Sequence, residues 1–128
     1  MEKEQIVSWV QQGPQPALLD AAQELGKEIK NKGLTTSQIR QVFTRLKSIE
    51  AKGYVKQKTD FMMLKPYLAY AAGRQDRVIG LKIFKEKITM GIDAVFEGGS
   101  SEEEPTRFVN FCKLFEAVLA YHRAFGGK

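Results

Sequence analysis

The stretch Phe108-Val109-Asn110-Phe111-Cys112-Lys113-Leu114-Phe115-Glu116-Ala117-Val118-Leu119-Ala120-Tyr121-His122-Arg123-Ala124-Phe125 decides the fold class. Phe108, Phe111, Phe115, Val118, His122 and Phe125 recur at alternating steps of three and four, which lines one face of an α-helix and packs it into a bundle. The acidic run Glu102 to Glu104 and then Pro105 stand just upstream. Proline suits the first helical turn, and carboxylates there complement the positive end of the helix dipole. A helix with so apolar a seam needs partners of the same period.

The rest of the chain supplies them in segments punctuated by Gly13-Pro14, Gly33, Gly53, Gly73 and Gly98-Gly99. A short piece near Glu4 to Gln11 carries Ile6, Trp9 and Val10, and a longer one from Gln15 to Asn31 carries Leu18, Leu19, Ala22, Leu25 and Ile29 before Gly33 stops it. The third segment opens with Thr35 and Gln38 at capping-box spacing. Its stripe is Ile39, Val42, Phe43, Leu46 and Ile49, flanked on one side by Arg40 with Lys47 and on the other by Arg45 with Lys52. The fourth starts at Thr59 or Asp60, contains Phe61, Leu64 and Leu68, and is expected to end at Gly73 with Arg74 just beyond; Pro66 marks a kink or a late start.

The fifth segment, Arg77 to Glu97, has Leu81, Phe84, Ile88, Ile92 and Val95 on one side and Ile79, Ile83, Met90 and Ala94 on another, so it asks for two partners. Gly80 and Gly91 between those sides predict close approach of neighbouring helices. Ile79, Leu81 and Ile83 alternate in a way that also fits a short strand, although the longer pattern favours a helix. The expectation is an all-α protein, a compact bundle of about five to six helices. One domain covers residues 1–128, with core helices from about residue 16 onward and a short N-terminal helix within 1–12.

At 128 residues and 43% hydrophobic content the chain suffices for one modest core. No stretch has the length and apolarity to span a bilayer, and Met1-Glu2-Lys3-Glu4 lacks the layout of a signal peptide, which predicts a cytoplasmic protein. Cys112 and His122 are the only residues of their kinds, too few for a disulfide or a Cys/His metal site. The net charge of +5 is unevenly spread: residues 1–35, 36–87 and 88–128 carry −1, +8 and −2. So basic a middle third is the footprint of a phosphate-facing surface, or else a solubilising lysine coat.

Catalysis finds no player. His122 falls in the aromatic seam, where a histidine is more often a buried packing residue than a general base, and Cys112 lies near the same seam. Glu102 to Glu104 are explained by the helix start, and Gly98-Gly99-Ser100-Ser101 lacks a phosphate-loop lysine. We expect no enzyme activity, metal or cofactor. For nucleic-acid binding, charge clustering offers Arg40, Arg45, Lys47, Lys52, Lys56, Lys58, Lys65, Arg74, Arg77, Lys82, Lys85 and Lys87, of which Arg40, Lys47, Lys52, Lys65, Arg74, Lys82 and Lys85 are the expected contacts, with Tyr54, Tyr67 and Tyr70 interleaved as candidate base stackers.

Three stretches together resemble the small helical subunit of type III-A CRISPR interference (Csm) complexes. They are Leu34-Thr35-Thr36-Ser37-Gln38-Ile39-Arg40; Leu64-Lys65-Pro66-Tyr67-Leu68-Ala69-Tyr70-Ala71-Ala72-Gly73-Arg74; and Phe108 with Phe111-Cys112, followed by Phe115 to Phe125 and the tail Gly126-Gly127-Lys128. The resemblance implies a non-catalytic, RNA-binding subunit, present in several copies, that forms a minor filament beside the crRNA-bearing subunits in antiviral defence. By motif position it implies RNA contact, to crRNA or target RNA, at Arg40, Lys65, Arg74 and Arg123. The other effector subunits are the expected partners, and the apolar sides of the fifth segment predict self-association. Two alternatives stand beside it: a helix-turn-helix DNA-binding regulator that reads with Thr35 to Lys47, and a structural adaptor whose basic face docks an acidic protein.

Overall fold

The computed structural model describes residues 1–127. Among them are seven α-helices and no strand: α1 (Lys3–Gln12), α2 (Pro16–Asn31), α3 (Thr36–Lys52), α4 (Lys58–Met62), α5 (Leu64–Arg74), α6 (Ile79–Phe96) and α7 (Glu104–Ala124). Six of these form the expected all-α bundle, and α4 is a turn of only five residues. Ile79, Leu81 and Ile83 belong to α6, so the strand reading is discarded.

The aromatic seam runs along α7, where Phe108, Phe111, Phe115, Val118 and His122 are buried and Phe125 is half-buried. α2 lies parallel to α7. Gly26 meets Val118 and His122, and Lys30, one turn later, reaches Gly126. A Cβ at Gly26 would stand 2.8 Å from the His122 backbone nitrogen, so the two helices touch where a side chain is missing.

Both helices end in the same way. Gly33 (φ 95°) and Gly126 (φ 86°) take the left-handed conformation. The amides of Gly33 and Leu34 donate to Lys30 and Ile29, and those of Gly126 and Gly127 donate to Arg123 and His122, the paired bonds of a Schellman stop. His122 ties the two ends together, its fully buried Nε2 lying 2.7 Å from the Leu34 carbonyl oxygen.

α6 is antiparallel to α7. A Cβ at Gly91 would meet the Phe111 ring at 2.8 Å, and one at Gly80 would meet the Ile29 carbonyl oxygen at 2.5 Å, so both glycines allow the close approach their placement predicted. The last carbonyls of α6 are satisfied by side chains from two other helices. Gln11 Nε2 donates to Ala94 (3.0 Å) and Glu97 (2.9 Å), and the buried Arg107 donates to Glu97 at 2.7 Å.

One expectation needs correction, and one apolar surface is smaller than expected. α5 continues through Gly73 to Arg74 and ends with the Gln75 amide on the Ala71 carbonyl; the break falls instead at Met63, between α4 and α5, so Pro66 sits in the first turn of a late-starting helix. The second apolar side of the fifth segment is largely covered within the chain. Ala94 is buried and Ile83 and Met90 are half-buried, leaving only Ile79 exposed at 56%. α1, α2, α5 and α7 all pack on α6, so the two partners its sides ask for are found within the chain, and Ile79 with parts of Ile83 and Met90 is what those sides leave to solvent.

Candidate nucleic-acid interface

The basic residues of α3 separate onto two flanks because positions three, four and seven apart share a face. One flank faces α7, which runs antiparallel to α3. At one end of this seam Lys47 donates to Glu116 at 2.6 Å and lies 3.6 Å from Glu50. The Glu116 hydrogen bond is the main influence that raises the lysine's pKa above its usual value. At the other end Arg40 and Arg123, both exposed, line a groove of about 220 Å³ with Thr36, Phe43 and Leu119. Neither arginine has a carboxylate within salt-bridge distance among the described residues.

The other flank faces α5. Gln38 donates to Gln75 at 2.6 Å, Tyr67 hydrogen-bonds Gln41, and the Arg45 guanidinium lies 4.0 Å from the centre of the Tyr67 ring. Arg74 closes α5, with its guanidinium 5.7 Å from the Tyr70 ring centre. The capping box that starts α3 forms as expected: the Thr35 hydroxyl accepts from the Gln38 amide at 3.3 Å, and the Gln38 side chain accepts from the Thr35 amide at 2.9 Å.

The model of the family described as Csm2 Type III-A matches residues 14–128. The chain belongs to the Csm2 family of type III-A CRISPR systems. It is thus a small subunit of a type III-A complex, with the other Csm subunits as its assembly partners. Comparisons with curated proteins and with solved structures found no match. All three stretches that carried the resemblance lie inside the matched residues, whereas α1 precedes them and still contributes Ile6, Trp9 and Val10 to the core.

On this Csm2 chain the eight basic candidates stand in different local settings. Arg40 and Arg123 come together from opposite parts of the sequence. Lys82 and Lys85 share a groove of about 460 Å³ between α5 and α6, but Asp76 and Glu86 line it too. Lys65 is held by Asp93 at 2.6 Å, as Lys47 is by Glu116. Lys52 stands exposed at the last turn of α3. Sequence reading placed Phe43 in the core stripe, yet it is only half-buried and opens onto the arginine groove. Its place three residues after Arg40 and four before Lys47 was the available signal.

Of the candidate stackers, Tyr70 is 64% exposed, Tyr67 is engaged by Gln41 and Arg45, and Tyr54 is buried. The Tyr54 hydroxyl donates to Glu104 at 3.1 Å, and Lys58 pairs with the same carboxylate at 2.9 Å. Burial, reinforced by Glu104, pushes the Tyr54 pKa far up. The folded state therefore holds the phenolic proton more tightly than the unfolded chain. This contribution to stability is present in full below about pH 10 and is lost as pH rises towards the folded pKa. Absorbance titration is expected to show one of the four tyrosines ionising only with alkaline unfolding.

Cys112 is buried and its thiol pKa is raised chiefly by desolvation. We expect it to resist thiol reagents at mildly alkaline pH in the folded protein and to react at once in denaturant, as followed by mass spectrometry. His122 has its Nε2 on the Leu34 carbonyl and no solvent access, which makes it part of the packing. Among the described residues no group of three His, Cys, Asp or Glu side chains is arranged to hold a metal ion. No helix among them is long and apolar enough to cross a membrane.

Proposed function

We propose that this small subunit is non-catalytic, lines the minor filament of a cytoplasmic type III-A effector complex, and holds crRNA or target RNA by its backbone in antiviral defence. The observation that carries this reading is the convergence of Arg40 and Arg123, from the first and third family stretches, on one groove without a paired acid among the described residues. Guanidinium groups fork onto phosphate oxygens, and phosphate contact needs no sequence reading when a guide RNA supplies it by base pairing. Lys52, Arg74, Lys82 and Lys85 stand outside this groove and are proposed as further points of RNA contact. Lys47 and Lys65 contribute less because each is already tied to a carboxylate.

The helix-turn-helix alternative fits the geometry poorly. The outward line of α3 carries Ser37, Thr44 and Ser48, while its cations lie on flanks that face α5 and α7. The test is Arg40→Ala with Arg123→Ala in the assembled complex. Target RNA affinity is expected to fall about tenfold, and the slope of log affinity against log salt to become shallower by one to two units, following about 0.7 per phosphate contact on single strands. Normal assembly with unchanged affinity and slope would sink the reading; lost assembly with unchanged RNA affinity favours the adaptor.

A further inference from the structure

The arginine groove has a floor that phosphate contact does not explain. Phe43 and Leu119 are half-buried there, whereas the rest of the α3 stripe, Ile39, Val42, Leu46 and Ile49, is sealed in the core. Lys47, anchored by Glu116, stands 5.1 Å from the Phe43 ring centre, fixing the ring from the next turn without closing the groove. At the far end Thr36 is buried with a hydroxyl that has no hydrogen-bond partner among the described residues. Cations at the rim over an aromatic and aliphatic floor are matched by a ligand that is anionic outside and flat and apolar within.

We infer that the groove between α3 and α7 receives one unstacked base of single-stranded RNA against Phe43 and Leu119, with the flanking phosphates on Arg40 and Arg123. The inference rests on the RNA-holding reading above and adds an occupant for the groove. A bare phosphate leaves the apolar floor unused, and pushing its charge onto that floor costs solvation. A partner helix, about 10 Å across or more, does not enter a hollow of 220 Å³. A base within a duplex must first be unpaired and unstacked, at a cost in free energy, to reach such a groove, whereas single-stranded bases stack on aromatic rings whatever their identity. The larger groove between α5 and α6 offers no such match, for it has alanine at its floor and two acids at its rim.

The test titrates the full-length chain at low salt with a short single-stranded RNA that contains a fluorescent adenine analogue, and with an abasic ribose-phosphate backbone of the same length. The wild-type chain is expected to change the analogue's fluorescence and to bind the abasic backbone about tenfold more weakly. Phe43→Leu, checked for unchanged helix content and melting temperature, is expected to lose the fluorescence change, to bind intact RNA about tenfold more weakly, and to keep its salt slope. Equal binding of abasic and intact RNA by the wild-type chain overturns the inference without recourse to any variant, as does absence of binding at low salt. If Arg40→Ala with Arg123→Ala still flattens the salt slope while base removal has no effect, the backbone-holding reading stands and the base groove falls. If neither change matters, both fall.

Discussion

Phe61→Ala is expected to cost about 3–5 kcal/mol. Phe61 is fully buried although α4, the helix that carries it, is only five residues long. Its ring centre lies 5.1 to 5.9 Å from those of Tyr54, Phe96, Phe108 and Phe111. So short a helix has too few internal hydrogen bonds to stand alone, and Phe61 is its tie to α6 and α7. Removing the ring deletes several edge-to-face contacts and leaves a cavity whose walls, Phe108 and Phe111, belong to the rigid seam of α7 and cannot collapse into it. Urea unfolding at neutral pH measures the effect. A loss below about 1 kcal/mol would show that α4 is not held in this way.

Replacing glycine by alanine inside two of the helices is expected to have opposite signs. At Gly80 the new Cβ would lie 2.5 Å from the Ile29 carbonyl oxygen and 3.0 Å from the Leu34 amide nitrogen, both backbone atoms at the end of α2. The Gly80 amide also donates to Lys32 at 3.0 Å, so α6 cannot back away without losing a bond. The gain in helix propensity, about 1 kcal/mol, is therefore outweighed, and Gly80→Ala is expected to destabilise by about 2–3 kcal/mol. At Gly73 nothing beyond the local helix backbone lies within 4 Å of the added carbon. Its backbone is helical, so Gly73→Ala is expected to stabilise by about 0.5 kcal/mol, less than a mid-helix site because the helix ends one residue later. Thermal melts of the two variants side by side decide the matter, and two shifts of the same sign would contradict this account.

The features legible in the sequence were those set by local chemistry. The Thr35 and Gln38 cap, the left-handed stop at Gly33 and the seam of α7 each follow from residues within a few positions of one another. Gly80 and Gly91 were legible as contact points because glycine inside an apolar helix needs a reason. Gly73 was misread because the same residue type serves at an open position, and only the tertiary neighbourhood distinguishes the two. The candidate site was less legible for a similar reason. Lys47 and Lys65 looked like free cations until the fold set Glu116 and Asp93 beside them. Arg107, absent from the basic candidates, is spent inside the fold on the end of α6. Proximity in the chain carries no information about any of these pairings, whereas the Arg40 and Arg123 pair emerged because the two family stretches that contain them are opposed across α3 and α7.

The parallel packing of α2 on α7 has a consequence during synthesis. The apolar face of α2 is complete once residue 31 has been made, but its backbone-to-backbone contacts at Gly26 and the tie from Leu34 wait for Val118 and His122. On the ribosome α2 can meet α6 first, but its main partner α7 is made later, so the native packing of α2 closes over a long loop. A chain cut short before Val118 would keep a greasy helix exposed, which marks it for chaperones and proteases before it can enter an assembly.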